Sequence, residues 1–172
     1  MQVTATEVIR EAVPQDLEQI RDIYNHYVAN SVATFDIEPR TLANRQEWFA
    51  QFSTTGPYRL FVAATPQIVG YACSTPFNAR AAYRTSVETT VYIHPDSVHQ
   101  GVGYTLYKVL LDTLTAEPGL HRAYAGISQP NESSNALHEK LGFKHIGTFT
   151  EVGYKFERYW DVARFEKDLS ND

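Results

Sequence analysis

The chain has 172 residues, of which 43% are hydrophobic and 20% are charged, and its net charge is −5. This length and composition predict one globular domain over residues 1–172 and exclude a disordered chain. The acidic balance, without any dense run of lysine and arginine, argues against nucleic acid as a partner, because backbone binding depends on clustered cations.

The first half of the chain predicts two helices among four strands. Apolar residues between Asp16 and Ala29 recur with the spacing of one helical face. Thr41 has the side chain of a helix N-cap. The segments in chain order are a strand at Val8–Val13, helices at Asp16–Ala29 and Thr41–Phe52, and strands at Tyr58–Ala64, Ile68–Thr75 and Thr85–Ile93.

The second half predicts one long amphipathic helix, a strand, a short helix that ends at Gly142, and a closing antiparallel pair of strands around Gly153. The segments are Gly103–Leu114, Arg122–Ile127, Ser134–Leu141, Lys144–Thr150 and Tyr154–Phe165. Together the elements predict a mixed α/β sheet with one strand–loop–helix crossover.

The crossover contains the most informative segment of the sequence. The strand Thr85–Ile93 is followed by Gln100-Gly101-Val102-Gly103 and then by a helix. Glycines there let backbone N–H groups converge on a ligand, and the helix N-terminus favours an anion such as pyrophosphate. From the local pattern alone, a tight turn before a packed helix is the more common explanation. Neither the dinucleotide fingerprint nor the P-loop fits this spacing.

Other functional classes find little support. No apolar stretch reaches the roughly 18 residues that span a bilayer, so no membrane partner is expected. Met1–Arg10 lacks the pattern of a secretory signal, and cytoplasmic residence is the default. Cys73 is the single cysteine, and a lone cysteine is commonly buried in a strand. The six histidines make no metal-ligand spacing, so no metal is expected.

Two ordered motifs resemble those of the GNAT superfamily of N-acetyltransferases. The first is Val91-Tyr92-Ile93-His94-Pro95-Asp96 with Gln100-Gly101-Val102-Gly103-Tyr104, and the second is Asn131 with Asn135–Phe143. Within the superfamily the chain is similar to phosphinothricin and methionine sulfoximine acetyltransferases, over about residues 8–169. The resemblance implies a mostly antiparallel central sheet flanked by helices, acetyl-CoA as co-substrate and a homodimer.

The resemblance also implies which residues hold acetyl-CoA. They are the backbone of Val91, Tyr92 and Ile93 for the pantetheine, the loop amides of His99, Gln100, Gly101, Val102, Gly103 and Tyr104 for the pyrophosphate, and Asn131. Asn131 is also a natural helix cap. Val98 stands where the family pattern has arginine or glutamine, which leaves the loop to depend on its backbone amides.

Two residues are catalytic candidates. Glu88, Thr90 and Tyr92 share one face of the predicted strand, and a carboxylate among apolar residues is costly unless it is solvated or paired. Glu88 therefore either lies on an exposed face or pairs with Arg84 or Arg80, or, as the resemblance implies, it acts as general base directly or through water. His138 matches the position of the residue thought to protonate the coenzyme A thiolate, whereas a lone histidine is more often surface or packed.

The acceptor site is expected around the loop Asn78–Arg84. Arg80 or Arg84 could bind an acceptor carboxylate and Tyr83 could wall the pocket, although a solvated loop explains them equally well. The substrate-binding candidates are Phe35, Asn78, Arg80, Tyr83, Thr89 and Thr90, although core packing is the more common role for a residue such as Phe35. The resemblance implies an amino acid with a tetrahedral side-chain head. A protein-directed acetyltransferase and a non-catalytic acyl-CoA sensor stay open as alternatives.

Overall fold

The computed structural model describes residues 7–98 and 101–170. Among these residues, seven strands and four α-helices follow one another as β1 Val8–Glu11, α1 Leu17–Asn30, α2 Leu42–Phe49, β2 Leu60–Ala64, β3 Ile68–Pro76, β4 Ser86–Ile93, α3 Val102–Ala116, β5 Arg122–Ser128, α4 Glu132–Lys140, β6 Lys144–Lys155 and β7 Arg158–Asp168. None of the helices in the described ranges is long and apolar enough to cross a membrane.

The strands form one sheet in the order β1-β2-β3-β4-β5-β7-β6. Every neighbouring pair is antiparallel except β4 and β5, which are joined through α3 and run parallel. The predicted mixed, mostly antiparallel sheet is therefore confirmed. The parallel pairing is short, because it includes only Ser86–Glu88 of β4 and Arg122–Tyr124 of β5. Beyond Glu88 the two strands have no paired residues.

Helices pack on both faces of the sheet, which confirms the helix-flanked sheet that the resemblance implies. On one face α3 buries Leu106, Leu110 and Leu114, which are spaced four residues apart and so lie along one side of the helix. On the other face α1 buries Ile20 and Ile23 against β2 and β3. The sheet is thus the middle layer of a three-layer structure, and the cores on its two faces are separate.

The closing hairpin turns at Phe156 and Glu157 and not around Gly153, so that prediction is wrong. Both turn residues adopt positive φ, 52° and 59°, while Gly153 lies inside β6 opposite Trp160. A Cβ atom added at Gly153 would lie 2.1 Å from Cζ of Phe35. Glycine is present here because a distant aromatic ring packs directly on the strand backbone.

Candidate active site

Because β4 and β5 separate after Glu88, the β4 edge from Thr89 to Ile93 has no strand partner among the described residues. The N–H of His94 donates to the Val69 carbonyl at 2.7 Å, on the β3 side. Because amide directions alternate along a strand, the backbone groups of Tyr92 also face β3, whereas those of Val91 and Ile93 face the gap. The Tyr27 hydroxyl donates to the Ile93 carbonyl at 2.6 Å. Apart from this carbonyl, the backbone groups of Val91 and Ile93 that face the gap can form hydrogen bonds with an added strand.

A cavity of about 730 Å³ lies along this edge. Its size is ordinary for a small-molecule or cofactor site. It brings together ten of the residues that the sequence indicates, namely Thr89, Thr90, Val91, Tyr92, Ile93, Gly101, Gly103, Tyr104, Asn131 and His138. Val102 is buried in the core below the loop. His99 and Gln100 lie outside the described residues.

One end of the cavity is the N-terminus of α3. Gly101 is its N-cap, with φ of +83° and no side-chain cap hydrogen bond. The Thr105 N–H bonds to the Gly101 carbonyl, so the N–H groups of Val102, Gly103 and Tyr104 precede the first intrahelical bond and have no acceptor within the helix. Together with the helix dipole, they make this end of the cavity suitable for an anion.

A lysine that the sequence analysis missed adds positive charge to the same end. Lys140, at the end of α4, lines the cavity, and its Nζ lies 4.3 Å from the ring centre of Tyr104. Its position follows from how α4 packs beside α3, two elements that are separated by β5 in the chain. The motif that contains Lys140 gave no reason to single it out.

Asn131 serves as the N-cap of α4. Its Oδ1 accepts the Ser134 N–H at 3.1 Å and the Ser133 hydroxyl at 3.2 Å. Capping was one of the two roles that the sequence indicated. Because the same residue lines the cavity and none of the described residues accepts a hydrogen bond from its Nδ2, that amide is available for a ligand.

Glu88 pairs with Arg164 of β7, not with Arg84 or Arg80, the two partners that the sequence suggests. Arg164 Nη1 lies 2.8 Å from Glu88 Oε1. The side chains of Glu88 and Arg164 are 36% and 19% exposed, so the pair is accessible from one side. Glu88 is the last residue of β4 that is paired with β5, and the next residue, Thr89, lines the cavity.

His138 belongs to a buried chain of hydrogen bonds. Its Nδ1 lies 2.8 Å from the Ser134 carbonyl, which can only accept, so Nδ1 carries the ring proton. Its Nε2 lies 3.2 Å from the Tyr107 hydroxyl, which in turn lies 2.7 Å from the Thr89 hydroxyl. Burial lowers the pKa of His138 below its ordinary value of 6.5, and the hydrogen bond to Ser134 opposes this only in part. The ring is therefore neutral at pH 7.

This buried histidine predicts a loss of stability in acid. Because its pKa is lower in the folded chain than in the unfolded chain, the unfolded chain binds more protons between the two values. Above about pH 6.5 the protonation of His138 costs the folded chain no stability. As the pH falls from there towards the lowered pKa, the free energy of unfolding decreases. Urea unfolding at about pH 7.5 and about pH 5.5 should show a smaller loss of unfolding free energy for His138→Phe than for the unmodified chain. An equal loss in both proteins would contradict the prediction.

Three of the proposed acceptor residues lie outside the cavity lining, in or near the loop before β4. Asn78 Oδ1 accepts the Arg80 N–H at 3.0 Å, which makes it a local turn residue. Tyr83 is 40% exposed, and its ring centre lies 5.6 Å from that of Phe77. Phe77 in turn stacks at 4.6 Å on Tyr124 of β5, the residue in register with Glu88. These rings form an aromatic group that includes Tyr124, the neighbour of Glu88 on the adjacent strand.

Phe35 also lies outside the cavity lining, because its ring packs on Gly153. It nevertheless belongs to a segment that borders the cavity, since Ser31, Val32 and Ala33 line it. The contact with Gly153 joins that segment to β6. Phe35 thus fixes the position of a cavity wall without forming part of its surface.

Cys73 is poorly suited to act as a nucleophile. It is buried in β3, as the sequence analysis expected. Burial raises the pKa of its thiol to about 12, so the thiolate needed for nucleophilic attack is rare at neutral pH.

Comparison with known proteins agrees with this geometry. Residues 9–163 match the acetyltransferase (GNAT) domain. The chain is 52% identical to a phosphinothricin N-acetyltransferase of Streptomyces coelicolor, over 96% of this chain and 98% of that protein. It is 36% identical to an L-methionine sulfoximine/L-methionine sulfone acetyltransferase of Pseudomonas aeruginosa, over 94% of each. A solved phosphinothricin acetyltransferase of Sinorhizobium meliloti in complex with acetyl-CoA superimposes with a TM-score of 0.90 at 34% identity, over 96% of this chain and 89% of that one. The chain belongs to the GNAT family of N-acetyltransferases.

Proposed function

We propose that this enzyme transfers the acetyl group of acetyl-CoA to the amine of a small amino acid of the phosphinothricin or methionine sulfoximine type. The observation that carries the proposal is the opening of the sheet after Glu88. The cavity in this opening runs from the N-terminus of α3, which suits an anion, along the unpaired edge of β4. It ends next to Glu88. The names of the relatives supply the acceptor class.

The cavity accommodates acetyl-CoA in one direction. The pyrophosphate binds at the N–H groups of Val102–Tyr104, near the Lys140 ammonium. The pantetheine continues along the β4 edge and forms hydrogen bonds with the backbone of Val91 and Ile93 as an added strand would. The thioester then lies near Thr89, at the point where β4 and β5 come together. In this direction along β4 the next residue is Glu88.

Glu88 is the general base of the proposed reaction. It takes a proton from the acceptor ammonium, directly or through one water molecule, and the neutral amine then attacks the thioester carbonyl. A backbone N–H at the β4 edge donates to the oxygen that becomes negative in the tetrahedral intermediate. When the intermediate collapses, the C–S bond breaks, the nitrogen loses its second proton and the thiolate gains one.

His138 moves that second proton from nitrogen to sulfur. The neutral ring has its one proton on Nδ1, held by the Ser134 carbonyl. Its Nε2 carries no proton and lies 3.2 Å from the Tyr107 hydroxyl, so it can give the thiolate only a proton that it has first received, directly or through that hydroxyl. This makes His138 a proton carrier in the collapse step, and not an acid that is charged before the reaction begins.

A thiol-release assay with acetyl-CoA tests the proposed function. Phosphinothricin, methionine sulfoximine and methionine sulfone should each release coenzyme A faster than simple amines do, and faster than peptides with a free N-terminus or lysine. Release with peptides alone would make the enzyme a protein acetyltransferase. Saturable binding of acetyl-CoA, without release of coenzyme A for any amine, would make the protein an acyl-CoA sensor. A calorimetric titration with acetyl-CoA that shows no saturation would contradict acetyl-CoA as the co-substrate.

A second copy of the chain is the expected partner of the β6–β7 hairpin. Five apolar side chains on this hairpin are 52–61% exposed, and they are Phe149, Val152, Tyr154, Phe156 and Tyr159. Exposed apolar groups that lie close together mark interaction surfaces. The rings of Tyr154 and Tyr159 are 4.9 Å apart and form one such group.

The replacement Tyr159→Asp should separate the dimer, because it places a charge where the interface must exclude water. Light scattering should give twice the chain mass of 19.5 kDa for the unmodified protein and once that mass for the variant. An unmodified protein of 19.5 kDa would rule out this interface.

A further inference from the structure

Arg164 reaches the site from a strand that the sequence motifs do not include. It lies on β7 in register with Gly126 of β5, and β5 separates it from β4. Its guanidinium nevertheless extends to Glu88, with Nη1 2.8 Å from Oε1. The side chain of Arg164 thus crosses the whole width of β5.

Gly126 makes this crossing possible. A Cβ atom added there would lie 2.6 Å from Arg164 Nη1 and 3.6 Å from its Cζ. Any larger residue would displace the guanidinium from its present position. Gly126 also lines the cavity, as does Thr89, the neighbour of Glu88. The guanidinium therefore lies beside the point where the cavity meets the general base.

The pair matches the head group of an amino acid. An α-amino acid carries an ammonium and a carboxylate on the same carbon, and Glu88 and Arg164 offer the opposite charges side by side. A guanidinium has five N–H donors, and only one of them is directed at Glu88. The remaining donors suit the two oxygens of a carboxylate, which arginine commonly binds in a bidentate way.

Arg80 and Arg84 are less well prepared for this task. Both are exposed on the loop before β4, and no described residue forms an ion pair with either of them. Arg164 is 19% exposed and is already held by Glu88 and by its strand. A side chain held in place loses less entropy when a ligand binds.

We propose that Arg164 binds the α-carboxylate of the acceptor while Glu88 receives its ammonium, which makes Arg164 the residue that selects amino acids over simple amines. This inference rests on the proposed function, because it assigns the acceptor of the same site.

The test compares two acceptors in Arg164→Gln and the unmodified enzyme. One acceptor is methionine sulfone, and the other is the amine that remains when its carboxylate is removed. The variant should lose about 10- to 100-fold in kcat/KM with methionine sulfone, mostly through KM, and less than about three-fold with the amine. Any effect of Arg164 on Glu88 itself acts on both acceptors and cancels in the ratio.

Two further variants sharpen the comparison. Arg122→Gln breaks another arginine–carboxylate pair between β5 and β7, the contact of Arg122 with Asp168, and should leave the ratio unchanged. Gly126→Ala keeps the charge of Arg164 but moves the guanidinium, and should lower the preference for methionine sulfone in the same direction as Arg164→Gln.

Equal losses with both acceptors in Arg164→Gln would overturn the proposal, and so would a selective loss that appears in Arg80→Gln instead. Calorimetry with coenzyme A-saturated protein separates this result from failure of the proposed function. If the protein binds methionine sulfone more tightly than the amine in a way that depends on Arg164, but transfers no acetyl group, the Arg164 subsite is supported and the proposed function is contradicted. If the protein binds neither acceptor, both the Arg164 subsite and the proposed function are contradicted.

Discussion

Replacing Glu88 by glutamine lowers kcat for acetyl transfer by about 100- to 10,000-fold, the usual range for a positioned general base. The amide has nearly the shape of the carboxylate and can still accept a hydrogen bond from Arg164, but it cannot take the ammonium proton. The affinity for acetyl-CoA should change by less than about two-fold, because Glu88 does not line the cavity. Single-turnover rates and calorimetry measure the two quantities separately.

The control for this experiment is Glu11→Gln. Glu11 lies in β1 and is paired with Arg59 at the far edge of the sheet, so the same substitution breaks a similar ion pair away from the site. Its kcat should match that of the unmodified enzyme. If Glu88→Gln turned over at the rate of Glu11→Gln, Glu88 would not be the base.

Most of the fold could be predicted from the sequence because its evidence is local. The apolar spacing of α1 and α3, the Thr41 cap and the glycine after α4 each depend on a few neighbouring residues. The prediction of the hairpin turn was wrong for the opposite reason, because the conformation there depends on a contact that is distant in sequence. Gly153 looks like a turn residue in sequence, but its small size serves a contact with Phe35, more than 100 positions earlier in the chain.

The residues of the site also fall into two groups: those that local motifs indicate, and those that only the folded structure brings together. The glycines of the α3 loop stand within the first of the two motifs that resemble those of the family, and Glu88 lies three residues before that motif on the same predicted strand, so these residues could be named as candidates without a structure. Arg164 could not, because its contact with Glu88 joins residues 76 positions apart and depends on the register of β5 against β7. Tyr107 belongs to neither motif, and only the packing of α3 against α4 brings its hydroxyl to His138.

That hydroxyl matters for the second large effect, in which His138→Phe lowers kcat by about 100-fold at pH 7. Phenylalanine fills the buried space but cannot carry the proton from the acceptor nitrogen to the thiolate. Tyr107→Phe should have a smaller effect, about ten-fold, because it removes the hydrogen bond that fixes Nε2 and leaves the ring in place. Steady-state kinetics with saturating acetyl-CoA measures both.

Matched controls exist for both variants. His145→Phe replaces an exposed histidine of β6, and Tyr71→Phe removes the hydroxyl of a buried tyrosine that packs on the opposite face of the sheet from Tyr107. Neither should change kcat by more than about two-fold, since surface changes and small core deletions away from the site act mainly on stability. A loss in Tyr71→Phe as large as that in Tyr107→Phe would assign the effect to packing.

The pH dependence separates a proton carrier from an acid that is charged in advance. Because burial lowers the pKa of His138, its imidazolium is already scarce at pH 7 and becomes scarcer as the pH rises. A pre-charged acid would therefore lose rate steadily from about pH 6 to about pH 8, whereas a carrier that starts neutral keeps its rate over that range. Ring ¹⁵N chemical shifts should in addition place the proton on Nδ1 in the resting enzyme. A falling rate together with a proton on Nε2 would reverse the assignment and make His138 the acid itself.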